Sequence, residues 1–406
     1  MQQIERTIFA TIAALLCPLG IDSVARADDK GSGPPTADIR QSIERGLPYL
    51  EKEGNAWISD RKCLSCHVVS FMLWSLNEAK AHDIKLDVKK FDDSTRWSLD
   101  YSLNARQWYK LTDASEKVFK ADGLPEPVAT KLKPLYNETF VSEEKYLEKV
   151  GQTLAADELS AHKVLLVKGA QQPPTGEKND GGSIATLGQL LLGRSRDKSE
   201  KLDAFLEAAP AVMRKWQQPN GSWKAAGQLP RQNRPSAESD ETTTGWAILG
   251  LASIEKPDTV ATKCVEDGLA FFKKTKPGKS HENLLVHLLV EDKLGKTEDA
   301  ADLLQAVLKS QNDDGGWAWL PGGASDAYAT GQTLYALTSL KAKVDRTVIQ
   351  RSQKYLLDIQ HKDGYWEVPP KAITDPKSDD GRVQKLVPIY KFWGTAWAAI
   401  GLAHSL

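Results

Sequence analysis

Two cysteines and a histidine lie within one short segment, Cys63-Leu64-Ser65-Cys66-His67. Cysteines three positions apart present their sulfur atoms on one side of a turn, where both can bond covalently to the vinyl groups of a haem. The adjacent histidine then reaches the iron as an axial ligand. The segment therefore predicts one covalently attached c-type haem, with Cys63, Cys66 and His67 as the cofactor-binding residues and His67 as the metal ligand.

The same spacing also occurs in half of a zinc site and in redox-active dithiol pairs. Haem is favoured because the N terminus reads as an export signal, with Arg6 before an apolar run over residues 7–21 and a small-x-small cleavage site at Ala25-Arg26-Ala27. C-type haem is attached on the outer side of the bacterial membrane. We expect an exported, periplasmic protein with a signal peptide at 1–27, a flexible linker at 28–37 and a single toroid domain at 38–406.

The overall composition argues against two classes of partner. The net charge is −1 and 26% of the residues are charged, so nothing favours nucleic acid or an anionic membrane surface. No later stretch is apolar enough to span a bilayer, which predicts no transmembrane segment in the mature chain. A redox partner or a small-molecule substrate remains the expected partner, and the composition identifies neither.

One pattern recurs in the second half of the chain: a glutamine, a glycine four residues later and a tryptophan two residues after that. Each copy is followed by a segment rich in Ala, Leu and Thr, and then by a charged amphipathic segment such as residues 346–360. Small residues let inner helices pack closely around a centre, while amphipathic outer helices cover them. A worn copy without the tryptophan falls at residues 275–287. The complete copies run from Gln217 to Trp223, from Gln311 to Trp317 and from Gln360 to Trp366.

This repeat predicts an all-α fold, an α/α toroid (barrel) of about six or seven helical hairpins. The glycine permits a tight turn, and the indole packs while it donates its N–H. The pattern resembles the repeat of squalene–hopene cyclases and related terpenoid-cyclase toroids, clearly over residues 181–406 and weakly over 54–181. This toroid carries unrelated activities, so the resemblance implies the fold more strongly than the chemistry.

The resemblance also implies a catalytic acid at the start of one inner helix. Squalene–hopene cyclases protonate an alkene with an aspartate in an Asp-x-Asp-Asp-Thr-Ala motif, and Asp240 falls at that position within residues 238–243. Three of the five specified residues of the motif differ here. The alternative for Asp240 is a helix N-cap, a position that aspartate favours.

The haem motif continues directly into an apolar helical segment. Aligning Trp74 with Trp246, Tyr335 and Trp397 makes this segment the inner helix of a first repeat, so the haem would lie where the inner helices open toward the central cavity. In that register His281, Tyr328 and Tyr390 line the haem pocket. Together with Asp240 they are the candidate catalytic residues, and His281 is the candidate distal ligand of the iron.

These patterns predict an exported monohaem protein that serves electron transfer or small-molecule redox chemistry, with a haem-dependent oxidoreductase as the enzyme class. Two alternatives stay open. One is acid catalysis at Asp240 of the terpenoid-cyclase kind. The other is a non-catalytic binding or scaffold toroid in which haem or zinc is structural.

Overall fold

The structure is a computed structural model that is helical almost throughout the part of the chain it describes. None of the helices in this part is both long and apolar enough to cross a membrane. The described residues are 33–61, 66–103, 109–136, 138–140, 143–170, 181–194, 203–225, 234–294, 297–369 and 380–406.

Six inner helices form a closed ring within the described residues. Each packs against the next one along the chain, and the last packs against the first. The inner helices are buried on nearly every side, because they have neighbours both in the ring and outside it. They are α2 (Cys66–Ala81), α8 (Gly181–Arg194), α10 (Ser236–Leu251), α12 (His281–Leu294), α14 (Ala327–Ser339) and α16 (Asp380–His404).

Six outer helices surround this ring and bury only one face. In the last of them, Ser352, Tyr355 and Leu356 are buried while the charged side chains face solvent. The predicted all-α toroid is therefore confirmed, with six hairpins in the described residues. The outer helices are α1 (Thr36–Ala56), α3 (Val88–Leu103), α9 (Asp203–Trp216), α11 (Thr259–Phe272), α13 (Thr297–Lys309) and α15 (Arg346–Asp358).

The repeated glutamine, glycine and tryptophan fasten each loop to its neighbours. Gln217 Nε2 donates to the carbonyl of Gly221 at 3.0 Å and to that of Cys264, in the next outer helix, at 2.9 Å. The Trp223 indole donates to the Met213 carbonyl at 2.7 Å. Its backbone N–H donates to the hydroxyl of Thr244 in α10 at 2.9 Å. The other two complete copies repeat these bonds.

The last copy of the motif closes the ring. Gln360 Nε2 donates to the carbonyl of Ser42 in α1 at 2.8 Å, across 318 residues of sequence. Gly364 lies at φ +89°, a backbone conformation that residues other than glycine rarely adopt. A Cβ at this position would also collide with the carbonyl oxygen of Arg45. A motif that is short in sequence therefore joins the last repeat loop to the first outer helix.

An insertion between α3 and α8 has a hydrophobic core of its own, built around Phe119, Tyr146 and Leu166. Tyr146 stacks on Tyr109 with ring centroids 5.7 Å apart. The outer helix α3 belongs to the toroid, whereas this insertion is an addition to it. Its elements are β1 (Tyr109–Lys110), α4 (Asp113–Ala121), α5 (Glu126–Lys131), β2 (Thr139–Phe140, antiparallel to β1), α6 (Glu143–Gly151) and α7 (Ala156–Ala170).

Candidate functional site

Four aromatic rings meet on the axis of the toroid and form what we call the aromatic floor: Trp74, Trp246, Tyr335 and Trp397. Trp74 lies 5.1 Å from Tyr335, 5.2 Å from Trp397 and 6.2 Å from Trp246, between ring centroids. Trp246 and Trp397 come from helices on opposite sides of the ring, and their centroids are 5.8 Å apart. Centroid distances of 4.5–7 Å are direct ring contact, so the floor closes the axis. These are the four residues that the sequence alignment placed at one level.

A buried ion pair lies against this floor. Glu282, the second residue of α12, accepts a hydrogen bond from the Trp246 indole at 3.0 Å. Its other oxygen is 2.7 Å from Nη1 of Arg234, and the two side chains are only 4% and 3% exposed. Gln332 Nε2 in α14 donates to the same Glu282 oxygen as the indole, at 3.3 Å. Charges in such a poorly solvated place interact much more strongly than charges at a surface.

Trp319 provides the wall beside the arginine. The guanidinium of Arg234 lies 5.4 Å from the Trp319 ring centroid, within the range of a cation–π contact. The Trp319 backbone N–H donates to Oδ2 of Asp326 at 3.1 Å, and its carbonyl accepts from the backbone N–H of His281 at 2.9 Å. Burial raises the pKa of Asp326 to about 6. The loop between α13 and α14 is thus bonded to the first turns of both α12 and α14.

Two buried polar atoms, one on Gln332, which donates to Glu282, and one on the floor residue Trp397, have no hydrogen-bond partner among the described residues. They are the side-chain oxygen of Gln332, which is 2% exposed, and the indole N–H of Trp397, which is fully buried. Buried acceptors and donors are normally satisfied by protein, water or ligand. One is an acceptor and the other a donor, so ligand hydroxyl groups, which can both donate and accept, would suit them.

Carboxylates at the start of α10 have structural partners. Glu238 accepts from the backbone N–H groups of Lys279 and Ser280 at 3.0 and 2.8 Å, and from the Ser280 hydroxyl, so it caps the start of α12. In the worn repeat, this carboxylate accepts the hydrogen bonds of the backbone N–H groups in the loop. The pKa of Glu241 is raised, first by burial and then by the negative charge of Glu238.

Asp240 serves the neighbouring loop. Its carboxylate accepts from the backbone N–H of Ala225 at 2.8 Å, just beyond the repeat tryptophan. Helix α10 begins at Ser236 with Pro235 at the N-cap position, so the N-cap alternative for Asp240 is wrong. The catalytic role of Asp240 stays a prediction, and its contacts do not distinguish it from the neighbouring carboxylates.

The other predicted pocket residues are buried in different surroundings. His281 Nε2 lies 2.6 Å from the Thr333 hydroxyl, and burial lowers the histidine pKa to about 3, so the ring is neutral. Tyr328 packs against the wall residue Trp319 at 5.2 Å. Tyr390 packs at 5.3 Å against Trp393, which in turn lies 6.1 Å from Tyr328. Tyr328 is therefore near the ion pair, whereas His281 packs against α14.

The structure does not describe the side chains of the predicted haem-binding residues. Cys63 lies outside the described residues, and Cys66 and His67 begin α2, with side chains outside the described part. The haem, the signal peptide, the domain boundaries and the periplasmic location therefore stay predictions. Among the described residues, no three His, Cys, Asp or Glu side chains lie together so that they could hold a metal ion.

Sequence reasoning missed Glu282 and Gln332 and did not connect them with Arg234. For Gln332 the available signal was its position, because it is a large polar residue in an inner helix of mostly small and apolar residues. Glu282 shares its helix with several other polar residues, so its sequence context did not single it out. A polar residue on a buried helix face needs a partner, and that need marks a candidate site.

Comparison with known proteins gives the family resemblance. Residues 281–405 match the family model of the squalene-hopene cyclase C-terminal domain. This agrees with the resemblance inferred from the repeat. The sequence matches no curated protein.

Several solved structures are similar to the chain over most of its length. A glycosidase in complex with glucose is 11% identical, with a TM-score of 0.48, over 91% of this chain and 97% of that chain. A possible member of the GH105 family from Salmonella enterica serovar Paratyphi A is 13% identical, with a TM-score of 0.42, over 96% and 98%. A polysaccharide lyase is 11% identical, with a TM-score of 0.37, over 91% and 96%.

These comparisons correct the predicted function. The chain was expected to serve electron transfer or redox chemistry at a haem, but the similar toroids are described as glycosidases and a polysaccharide lyase. The redox prediction is therefore wrong. Its source was the haem motif, which was used to assign an activity as well as a cofactor. A covalent attachment motif specifies only the cofactor.

Proposed function

We propose that the chain is an enzyme that acts on a polyhydroxylated, carbohydrate-type substrate at the axial site above the aromatic floor. One observation carries the proposal: the buried carboxylate of Glu282 accepts a hydrogen bond from Gln332, whose side-chain oxygen has no partner among the described residues, and it also accepts from the floor residue Trp246. In the same floor, the indole N–H of Trp397 has no partner among the described residues. Sugars present many hydroxyl groups around a ring with apolar C–H faces. A site with a few convergent polar groups among aromatic side chains is suited to such a ligand.

Glu282 is the residue that we place against the reacting atoms. In glycoside hydrolysis, the bond between the anomeric carbon and the glycosidic oxygen breaks, water supplies a hydroxyl group to the carbon, and a proton goes to the leaving oxygen. Positive charge develops at the anomeric carbon in the transition state. A carboxylate fixed by Arg234, Trp246 and Gln332 can stabilise that charge without having to reorganise.

The first experiment is an activity screen with a matched pair of variants. The similar solved toroids define the panel: glucosides, other neutral glycosides, and polysaccharides with and without uronate. Release of reducing sugar reports hydrolysis, and ultraviolet absorbance of an unsaturated product reports elimination. We expect Glu282→Gln to lower kcat by about 100-fold or more, the range seen when one preorganised electrostatic group is removed.

The control is Glu266→Gln, the same chemical change on the exposed surface of outer helix α11. It should leave kcat and KM unchanged. Far-UV circular dichroism of both variants separates a loss of chemistry from a loss of fold. A folded protein that turns over no glycan in the panel, or an active one that Glu282→Gln does not impair, would refute the proposal.

A further inference from the structure

An aromatic side chain beside the axial ion pair distinguishes one copy of the repeat from the other two. Trp319 lies two residues after the tryptophan of its motif, where the other complete copies have Ala225 and Val368. The three positions are equivalent in the structure, because each motif tryptophan donates its backbone N–H to a threonine of the next inner helix along the chain. The loop geometry therefore does not require a ring at this position, and the ring of Trp319 is an addition to it.

The backbone at this position is bound by an aspartate. Asp240 accepts from the backbone N–H of Ala225 at 2.8 Å, and Asp326 accepts from that of Trp319 at 3.1 Å. Each aspartate stands four residues before the threonine that binds its motif tryptophan, so the two bonds are the same feature in two repeats. In one repeat the bond fixes an alanine, and in the other it fixes the residue whose ring contacts Arg234.

Asp326 fixes Trp319 to the start of an inner helix. Its side chain is 2% exposed, and its other oxygen accepts from the backbone N–H of Ala329 at 2.8 Å and so caps α14. With a pKa of about 6 the group is largely ionised near neutral pH, and hydrogen bonds to an ionised acceptor are about twice as strong as those between neutral groups. Because the Trp319 carbonyl also accepts from the N–H of His281 at 2.9 Å, its backbone is fixed to two inner helices at once.

We infer that Asp326 is a positioning residue for the axial site, which through Trp319 sets the place of the Arg234 guanidinium and hence of the Glu282 carboxylate. This inference rests on the proposed function. The guanidinium lies 5.4 Å from the Trp319 ring centroid and 2.7 Å from Glu282. A cation–π contact depends on where the cation lies over the ring, so a displaced ring moves the guanidinium and its carboxylate partner. A misplacement of about 1 Å at a reacting group can lower its rate contribution by up to about 100-fold.

The first test needs no substrate and uses Asp326→Asn. The asparagine oxygen can still cap α14, but the amide group that replaces the other oxygen cannot accept the N–H of Trp319. The indole N–H of Trp246 donates to Glu282 at 3.0 Å, so its NMR signal in protein labelled with ¹⁵N-tryptophan reports the position of the carboxylate. We expect this signal to shift and its proton to exchange faster with water. The indole signal of Trp223, which bonds to a backbone carbonyl in another repeat, should stay unchanged.

The matched control is Asp258→Asn, the same change at an exposed aspartate that caps the outer helix α11 by accepting from the N–H of Ala261 at 2.6 Å. It should leave the Trp246 signal where it is in the wild type. An unchanged Trp246 signal in folded Asp326→Asn, or the same shift in the control, would overturn the inference. Asp326→Ser, which also keeps a capping oxygen, replaces the asparagine variant if that variant does not fold. Unfolding of both would overturn the inference too, because Asp326 would then be a structural residue.

The second test measures turnover of a substrate found in the activity screen. We expect Asp326→Asn to lower kcat about tenfold with little change in KM, because it displaces a group that acts on the transition state. Combining it with Trp319→Phe should lower kcat no further than the larger single loss, since both act through one ring. An unchanged kcat in an enzyme that Glu282→Gln impairs would overturn the inference and leave the proposed function intact. If no glycan is turned over, the proposed function fails, and the Trp246 signal still decides whether Asp326 positions Glu282.

Discussion

Removing one partner of the axial ion pair should destabilise the protein severely. Arg234 and Glu282 are 2.7 Å apart and 3% and 4% exposed, so Glu282→Ala leaves a guanidinium buried without its carboxylate. Breaking a buried pair in this way costs about 3–5 kcal/mol. The indole of Trp246 and the amide of Gln332 lose their acceptor as well, at about 1 kcal/mol each. We expect the free energy of unfolding to fall by about 5–7 kcal/mol.

The assay is urea unfolding followed by far-UV circular dichroism, arranged as a double-mutant cycle. Arg234→Met and Glu282→Leu are measured singly and together. The double variant has no unpaired buried charge, so its loss should be smaller than the sum of the single losses by about 2–3 kcal/mol.

The matched control is the surface pair Arg214–Asp267, which has the same 2.7 Å distance but side chains 44% and 30% exposed. Water screens exposed pairs and competes for their hydrogen bonds, so Asp267→Ala should cost far less than Glu282→Ala. The argument from burial is wrong if Asp267→Ala and Glu282→Ala lower the free energy of unfolding equally. It is also wrong if the losses of the two single variants in the cycle simply add.

Three further predictions concern the fold, the pH response and the cofactor. Gly364→Ala should destabilise the protein far more than Gly123→Ala: both glycines have positive φ, but a Cβ collides with backbone only at Gly364, and thermal unfolding compares them. Burial raises the pKa of Asp326 to about 6, so the folded protein holds this proton more tightly than the unfolded chain does. The protein is therefore stabilised by protonation of Asp326 below about pH 4, and this stabilisation is lost as the pH rises through about 6. Asp326→Asn cannot ionise and should remove this loss of about 3 kcal/mol, so parallel unfolding curves of the two proteins at every pH would contradict the assignment. Expression with c-type haem maturation should give a covalent haem band in reducing alkaline pyridine that disappears in Cys63→Ser/Cys66→Ser, and its absence from the parent protein would refute haem attachment.

The repeat motif predicted the fold because the hydrogen bonds that shape each loop are short in sequence. Gln217 bonds to Gly221 four residues on, and Trp223 bonds to Met213 ten residues back. Three copies of such a loop, each followed by a helix of small residues, already indicate hairpins around a centre. The alignment of the floor aromatics succeeded for the same reason, since equivalent positions in repeated hairpins lie at one level.

The candidate site depended on contacts that no local pattern contains. Arg234 and Glu282 are 48 residues apart, and Gln332 reaches Glu282 from 50 residues further along. The residue types predicted buried helix faces, but each polar side chain on such a face could find a partner on any neighbouring helix. Only closure of the ring decided which ones meet, because it sets the register of all the inner helices at once. Sequence by itself determined the repeating unit and the cysteine–histidine motif, whereas the tertiary structure alone placed a carboxylate and a guanidinium together above a closed aromatic floor.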